Sequence, residues 1–202
     1  MRANTFLTLV YPRLCPSCGE PHGPDSSLTA DALCPSCADQ LQPVTEPFCE
    51  CCGEPFDGAI SSPSFRCSNC AGRDFAFDFA ISGYRAEGPA LNMIHRFKYR
   101  REIQLARPTA ILLADALEDP RIAEVEDWVL VPVPLHWRRR NHRGFNQAAE
   151  LCRSLSKIAN LQVRDALGRS RSTGHQAHLD RAARLENLRG SIRIRRFLRS
   201  AT

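Results

Sequence analysis

Four pairs of cysteines set the first constraint on this 202-residue chain. Cys15-Pro16-Ser17-Cys18 and Cys34-Pro35-Ser36-Cys37 read C-x2-C-x15-C-x2-C, while Cys49-Glu50-Cys51-Cys52 and Cys67-Ser68-Asn69-Cys70 read C-x2-C-x14-C-x2-C. Each is the spacing of a zinc ribbon, in which two thiolates on one tight turn meet two from a second turn around a tetrahedral ion. Paired sets of this kind read as metal sites rather than as disulfide or redox chemistry. The segment Cys18-Gly19-Glu20-Pro21 recurs as Cys52-Gly53-Glu54-Pro55, so the ribbon is duplicated. The expected ligands are Cys15, Cys18, Cys34 and Cys37 for one ion and Cys49, Cys52, Cys67 and Cys70 for the other. Four protein ligands leave no open position, which makes both zinc ions structural. Cys51, where the first copy has Ser17, reads as a bystander, and His22 as a solvated loop residue. The intervening segments 19–33 and 53–66 are rich in Pro, Gly, Ser and Asp and cannot build a core without metal.

Charge marks a boundary near residue 80. Residues 1–80 hold 4 basic and 10 acidic side chains, and residues 81–202 hold 23 and 12, giving −6 and +11. The basic half points to phosphate-bearing partners, and the acidic ribbons argue against non-specific DNA binding by the front half. No apolar run approaches a membrane span, and the start lacks the apolar length and cleavage site of a secretory signal.

Past the boundary, Phe75–Tyr84 alternates loosely and predicts a strand or hairpin. Pro89 opens a predicted helix with Leu91 and Ile94 inward, and a second helix runs from Pro108 to Asp119-Pro120 with Ile111, Leu112 and Leu117 inward. Val129–Val133 reads as a buried strand. It stops at Pro132-Val133-Pro134 and feeds a loop with Arg138, Arg139, Arg140 and Arg143, after which Gly144 introduces a helix carrying Ala148, Leu151, Cys152, Leu155 and Ile158. Strand, loop and helix in this order describe a parallel α/β sheet, with ligands expected at the strand's carboxyl end. Guanidinium forks suit phosphate or pyrophosphate, so Arg138, Arg140 and Arg143 are the candidate ligands, with Lys98 a further one from the opposite side.

Taken together, these marks resemble the ComF family. They are the four C-x2-C pairs, Ile94-His95-Arg96-Phe97-Lys98-Tyr99, Val131-Pro132-Val133-Pro134-Leu135-His136, Arg143-Gly144-Phe145-Asn146-Gln147, Gln176, Arg184, Asn187 and Leu188-Arg189-Gly190. The resemblance implies a double zinc ribbon over 8–72 and a type I phosphoribosyltransferase-like parallel-sheet domain over 75–202, incomplete at its C-terminus. It also implies a cytoplasmic protein linked to natural transformation and uptake of single-stranded DNA. The fold's chemistry would be displacement of pyrophosphate from phosphoribosyl pyrophosphate, with Mg²⁺ only if that ligand binds, so the resemblance makes this a transferase of the glycosyl group by fold.

One element of the family pattern is absent: an apolar strand, two adjacent acids, then a Thr/Gly-rich loop opening a helix that cradles a 5′-phosphate. Glu118-Asp119 and Glu126-Asp127 have no such setting, and Ser172-Thr173-Gly174 has neither the strand nor the acids before it. The expectation is therefore weak phosphoribosyl pyrophosphate binding, no turnover by this chain and an exposed sheet edge. A fragment or frameshift, a partner that completes the site, or retention of a binding role alone would each account for the pattern. The other functional reading is a non-enzymatic adaptor that grips single-stranded nucleic acid through the basic half and exposed aromatics such as Trp137 and Phe145.

Overall fold

The computed structural model describes residues 13–22, 33–58, 65–173 and 180–195. Contacts divide the chain into two compact units. One runs to Ile94 and takes in Ile111–Glu124, and the other comprises His95–Ala110 and the residues from Val125 on.

In the first unit the internal repeat is structural. Leu14 bridges Pro21 and Phe48 bridges Pro55, 34 residues apart in register. Cys15 N–H donates to Glu20 O and Cys49 N–H to Glu54 O, each at 2.8 Å. Gly53 sits at φ +69°, and a Cβ there would lie 2.8 Å from Ala80 O, so both backbone shape and close approach require glycine. After the second pair of the first ribbon, Pro35–Ala38 forms a single helical turn, α1.

Phe75–Tyr84 forms no strand, contrary to its alternation; only Tyr84 makes an isolated bridge, to Pro43. Its groups are spent on the second ribbon instead. Phe75 packs against the Cys49–Cys51–Cys70 cluster, and Ala80 N–H donates to Cys51 O at 2.8 Å. Arg121, in the short helix α4 (Pro120–Ala123), clamps this arrangement. Its guanidinium lies 4.5 Å from the Phe79 ring centroid, forks onto Asp119, and donates to Glu50 O at 2.9 Å.

Helix α2 spans Gly88–Tyr99 and α3 spans Ala106–Ala114, which continues as a 3-10 turn over Asp115–Glu118. On α2 the buried stripe is Ala90, Met93 and Phe97, one position off the expected Leu91 and Ile94; Leu91 is exposed. The large ring of Phe97 fixes that face. On α3, Ile111 and Leu112 are buried as expected, and Leu117 beyond it is half-buried.

The second unit contains a βαβ arrangement, in keeping with the expected α/β class. Strand β1 (Val129–Leu130) pairs in parallel with β2 (Gln162–Val163), and α5 (Trp137–Arg143) and α6 (Gln147–Ala159) lie between them in sequence. The strand is shorter than expected because Pro132 and Pro134 have no N–H to extend a ladder. Val131 and Val133 accordingly stand exposed. Beyond them, β3 (Leu167–Arg169) pairs antiparallel with β4 (Ile192–Ile194), and α7 (Arg181–Leu188) connects the two. The core joins Phe97, Leu105, Ala106 and Phe145, with Leu151 against it.

The Phe97 and Phe145 rings have centroids 5.2 Å apart. Truncation of Phe145 to Ala should cost about 3–5 kcal/mol, the range for a buried phenyl. Phe97→Ala should cost a similar amount, and the pair should show a coupling of about 0.5–1.5 kcal/mol. Urea unfolding of both single variants and the double variant measures this. Strictly additive losses would mean the rings stabilise the fold independently.

Candidate anion site and thiol clusters

The structure gathers the eight cysteines of the expected pairs into two groups of four. Within each group the sulfur atoms lie within 4.8 Å of one another. Cys18 and Cys34 are 3.7 Å apart at sulfur, as are Cys52 and Cys67. A tetrahedral ion with Zn–S bonds near ~2.3 Å needs sulfurs roughly 3.8 Å apart, so the donor sets fit zinc. Backbone N–H groups also aim at sulfur: Cys34 to Cys15 Sγ at 3.5 Å and Cys67 to Cys49 Sγ at 3.4 Å.

The two groups share an electrostatic pattern. Burial pushes the Cys15 thiol up, but the N–H groups of Cys34, Cys18 and Ser17 outweigh it and bring it to about 6. Cys49 follows the same balance to about 6, against burial and through the N–H groups of Cys67, Cys52 and Cys51. Burial and the neighbouring sulfurs push Cys37 up to about 12 and raise Cys70 as well. One thiolate forms easily in each group while Cys37 or Cys70 resists; a divalent cation is what lets all four ionise together. Cys51 is buried against the second group without being one of its four ligands, and Ser17 is buried at the matching place in the first.

In the second unit the expected arginine loop is a helix. His136 caps α5, its Nδ1 accepting from Arg138 N–H at 3.3 Å. No Gly or Pro interrupts residues 137–143, and arginine is a good helix former. Gly144, at φ +83°, ends α5, and Arg101 Nε donates to the His142 carbonyl at 3.0 Å. Asn146 then ties the next helix down. Its side chain accepts from Ala148 N–H at 3.2 Å, capping α6, and donates to Val133 O at 3.1 Å.

A helix sends its side chains in several directions, so the four expected cations part company. Arg138 lies over the Trp137 ring, 5.3 Å from its centroid, and Arg138 and Arg140 are exposed. Arg143 turns inward, with its guanidinium 5.5 Å from the Tyr99 ring centroid, and donates to Gln147 Oε1 at 3.2 Å. Lys98 faces Arg143. Partial burial of its amine, and then that guanidinium, lower its pKa from the usual lysine value although the residue keeps solvent access.

Gln147 is a site residue that charge-based reasoning passed over. It is 6% exposed, and its Nε2 has no hydrogen-bond partner among the described residues. It is also the first residue of the 13-residue α6, where the helix end carries partial positive charge. The first-turn acid there, Glu150, pairs with Arg153. Arg143, a buried amide donor and a helix N-terminus therefore meet, within electrostatic reach of Lys98, an arrangement that can hold a phosphate oxygen.

The sequence placed Phe145 among exposed aromatics; it is buried in the core, so of the two named rings Trp137, 60% exposed, is the one that offers a stacking face. Gln176 lies outside the described residues. Glu118-Asp119 closes a 3-10 turn and Glu126-Asp127 precedes β1, so neither pair follows a strand into a loop. The first unit has a cavity of about 380 Å³ lined by Phe48, Tyr84, Asp115, Glu118 and Asp119 among others. Its carboxylates make it unsuited to phosphate.

Comparison with known proteins bears on both units. Residues 6–71 match the family described as a double zinc ribbon domain. The chain is 28% identical over 190 residues to the DNA utilization protein YhgH of Salmonella typhimurium, covering 92% of this chain and 79% of the relative. It is 27% identical over 171 residues to competence protein F of Haemophilus influenzae, covering 83% and 72%. The YhgH protein of Escherichia coli K12 is 27% identical over 190 residues, with 92% and 79% covered. No solved structure gives a significant match. The resemblance to the ComF family is thereby borne out: this chain carries a double zinc ribbon and is similar along most of its length to competence protein F and YhgH.

Proposed function

We propose that this protein is a ComF-like protein of DNA uptake or DNA utilization, whose second unit binds phosphate groups and whose ribbons hold two structural zinc ions. The relatives' names support the DNA role. The observation that carries phosphate binding is the contact of Arg143 with the buried Gln147 amide at the start of α6, with the Lys98 charge near enough to act on that of Arg143. Arg138 and Arg140, exposed on α5, extend the positive face and can take further phosphates. A cytoplasmic location fits such a role; among the described residues no helix is long and apolar enough to cross a membrane.

Phosphoribosyl pyrophosphate is a weak ligand in this reading, with Mg²⁺ entering only alongside it, and the fold's relation to the phosphoribosyltransferases is one of architecture. Displacement at the sugar carbon needs the ribose and its 5′-phosphate fixed as well as the pyrophosphate. Among the described residues no acid pair and phosphate loop do this. The described groups would bind and orient phosphate.

Single-stranded DNA is the second reading, and a specific observation favours it. Trp137 is exposed beside the Arg138 guanidinium, the aromatic-plus-cation pairing on which bases stack.

The sulfur geometry predicts two zinc ions per chain. Cys37→Ser and Cys70→Ser should each lower the zinc content by one, whereas Cys51→Ser should keep both. Elemental analysis of freshly purified protein reads this, and an undiminished content in either ligand variant would dismiss that site. Because thiolates must ionise to bind, zinc should be released as the pH falls, with loss of the ribbon fold.

Affinity for an oligonucleotide should fall steeply with added salt, since each phosphate contact releases counterions. Arg143→Gln should weaken oligonucleotide or phosphate binding about tenfold, the equivalent of one charged hydrogen bond. Fluorescence titration across salt concentrations checks both. A flat salt response would rule out phosphate contacts as the source of affinity.

A further inference from the structure

Among the Phe, Tyr and Trp side chains of the described residues, Tyr99 is the most exposed, at 66%. It ends α2, and Phe97 on the same helix is 2% exposed, so the helix sends one ring into the core and leaves another in water. An aromatic ring left outside forgoes the burial that its apolar area would gain.

The exposed ring is nevertheless held in place. The His95 ring meets it edge-on from the same helix, with centroids 5.8 Å apart. The Arg143 guanidinium lies 5.5 Å from its centroid, and the same arginine donates to Gln147 Oε1 at 3.2 Å. One guanidinium therefore touches both the proposed phosphate position and an open aromatic ring. Exposed Lys98 and Arg100 flank Tyr99 in the chain, so cations also stand on either side of the ring in sequence.

A nucleotide joins its phosphate to its base through one sugar, so a ligand with its phosphate on Arg143 can lay its base on the adjacent ring. Every base has a π-face, and a cation beside the platform adds to the attraction. Free phosphate, pyrophosphate and phosphoribosyl pyrophosphate carry no base and gain nothing from Tyr99. In a duplex the faces of each base are covered by its neighbours, so the base must come from a single strand.

We propose that Tyr99 is the base-stacking platform of the Arg143–Gln147 site, and that the ligand of this site is a nucleotide unit of a single strand. Tyr99 in this role rests on the phosphate reading of Arg143 and Gln147 above, and it names what carries that phosphate.

The test titrates the full, zinc-loaded chain with a short oligothymidylate and with an abasic oligomer of the same length and charge. Wild type should bind the oligothymidylate more tightly. Tyr99→Ala should weaken oligothymidylate binding about tenfold, the equivalent of one stacked base, and leave the abasic oligomer as in wild type. Tyr99→Phe keeps the ring face and should bind both as wild type. Equal effects of Tyr99→Ala on the two oligomers, or no effect on either, overturn the platform. If Tyr99→Ala lowers the thermal midpoint, ultraviolet cross-linking of wild type to the oligothymidylate decides, with a thymine adduct on Tyr99 in favour and adducts only elsewhere against. Arg143→Gln should weaken both oligomers. If it weakens neither, the phosphate reading has failed; if it weakens both while Tyr99→Ala does not discriminate between them, stacking alone has failed.

Discussion

Four thiol sulfurs within 4.8 Å of one another, twice over, are the constraint on which the front of this protein depends. Neutral thiols attract one another weakly, and several thiolates together repel. The backbone N–H groups aimed at Cys15 and Cys49 favour the first ionisation in each group, and burial opposes the last. A dication resolves both effects at once. The surrounding segments are too polar to hold the turns together by burial, so the metal takes the place of a hydrophobic core. On the second ribbon, Phe65 and Phe75 lie against the sulfurs and Arg121 lies over Phe79.

The second unit rests on conventional packing, and its site inherits its geometry from that packing. Phe145 stands two residues before Gln147 and is pinned against Phe97. Lys98 follows Phe97 directly in sequence. The same aromatic pair that builds the core therefore holds the segments bearing Lys98 and Gln147, while Asn146 fixes the start of α6 to the end of the strand segment. The proposed phosphate site would therefore not depend on the exposed arginines of α5. Those cations would contribute field and reach, and the buried groups position.

The proposed phosphate recognition would be split between two kinds of arginine. Arg138 and Arg140 face water, where screening makes each contact weak but additive along a polyanion. Arg143 is half-buried and its charge acts on that of Lys98, so it would gain more from a single well-placed anion. A surface of the first kind would suit a strand of nucleic acid; a site of the second kind would select an individual phosphate group.

Much of this was legible in the sequence because it is local. The C-x2-C spacing, the 34-residue repeat and the Gly53 turn need only a few residues each to specify them, and the structure reproduces them. The α/β order was legible for the same reason, since a β-branched run, a Pro stop and an apolar helical stripe are short-range signals. What the sequence could not decide was partnership across distance. Phe75–Tyr84 alternates like a strand but gives its backbone and rings to the second ribbon. Phe145 reads as an exposed aromatic beside arginines until Phe97, 48 residues earlier, is seen against it. The clustered arginines look like one site, yet a helix leaves Arg138 and Arg140 exposed, and only the fold brings Arg143 to Tyr99 and Gln147. Residue types and spacing fix which groups can bind metal or phosphate; burial and long-range packing, which no local pattern encodes, fix which of them meet.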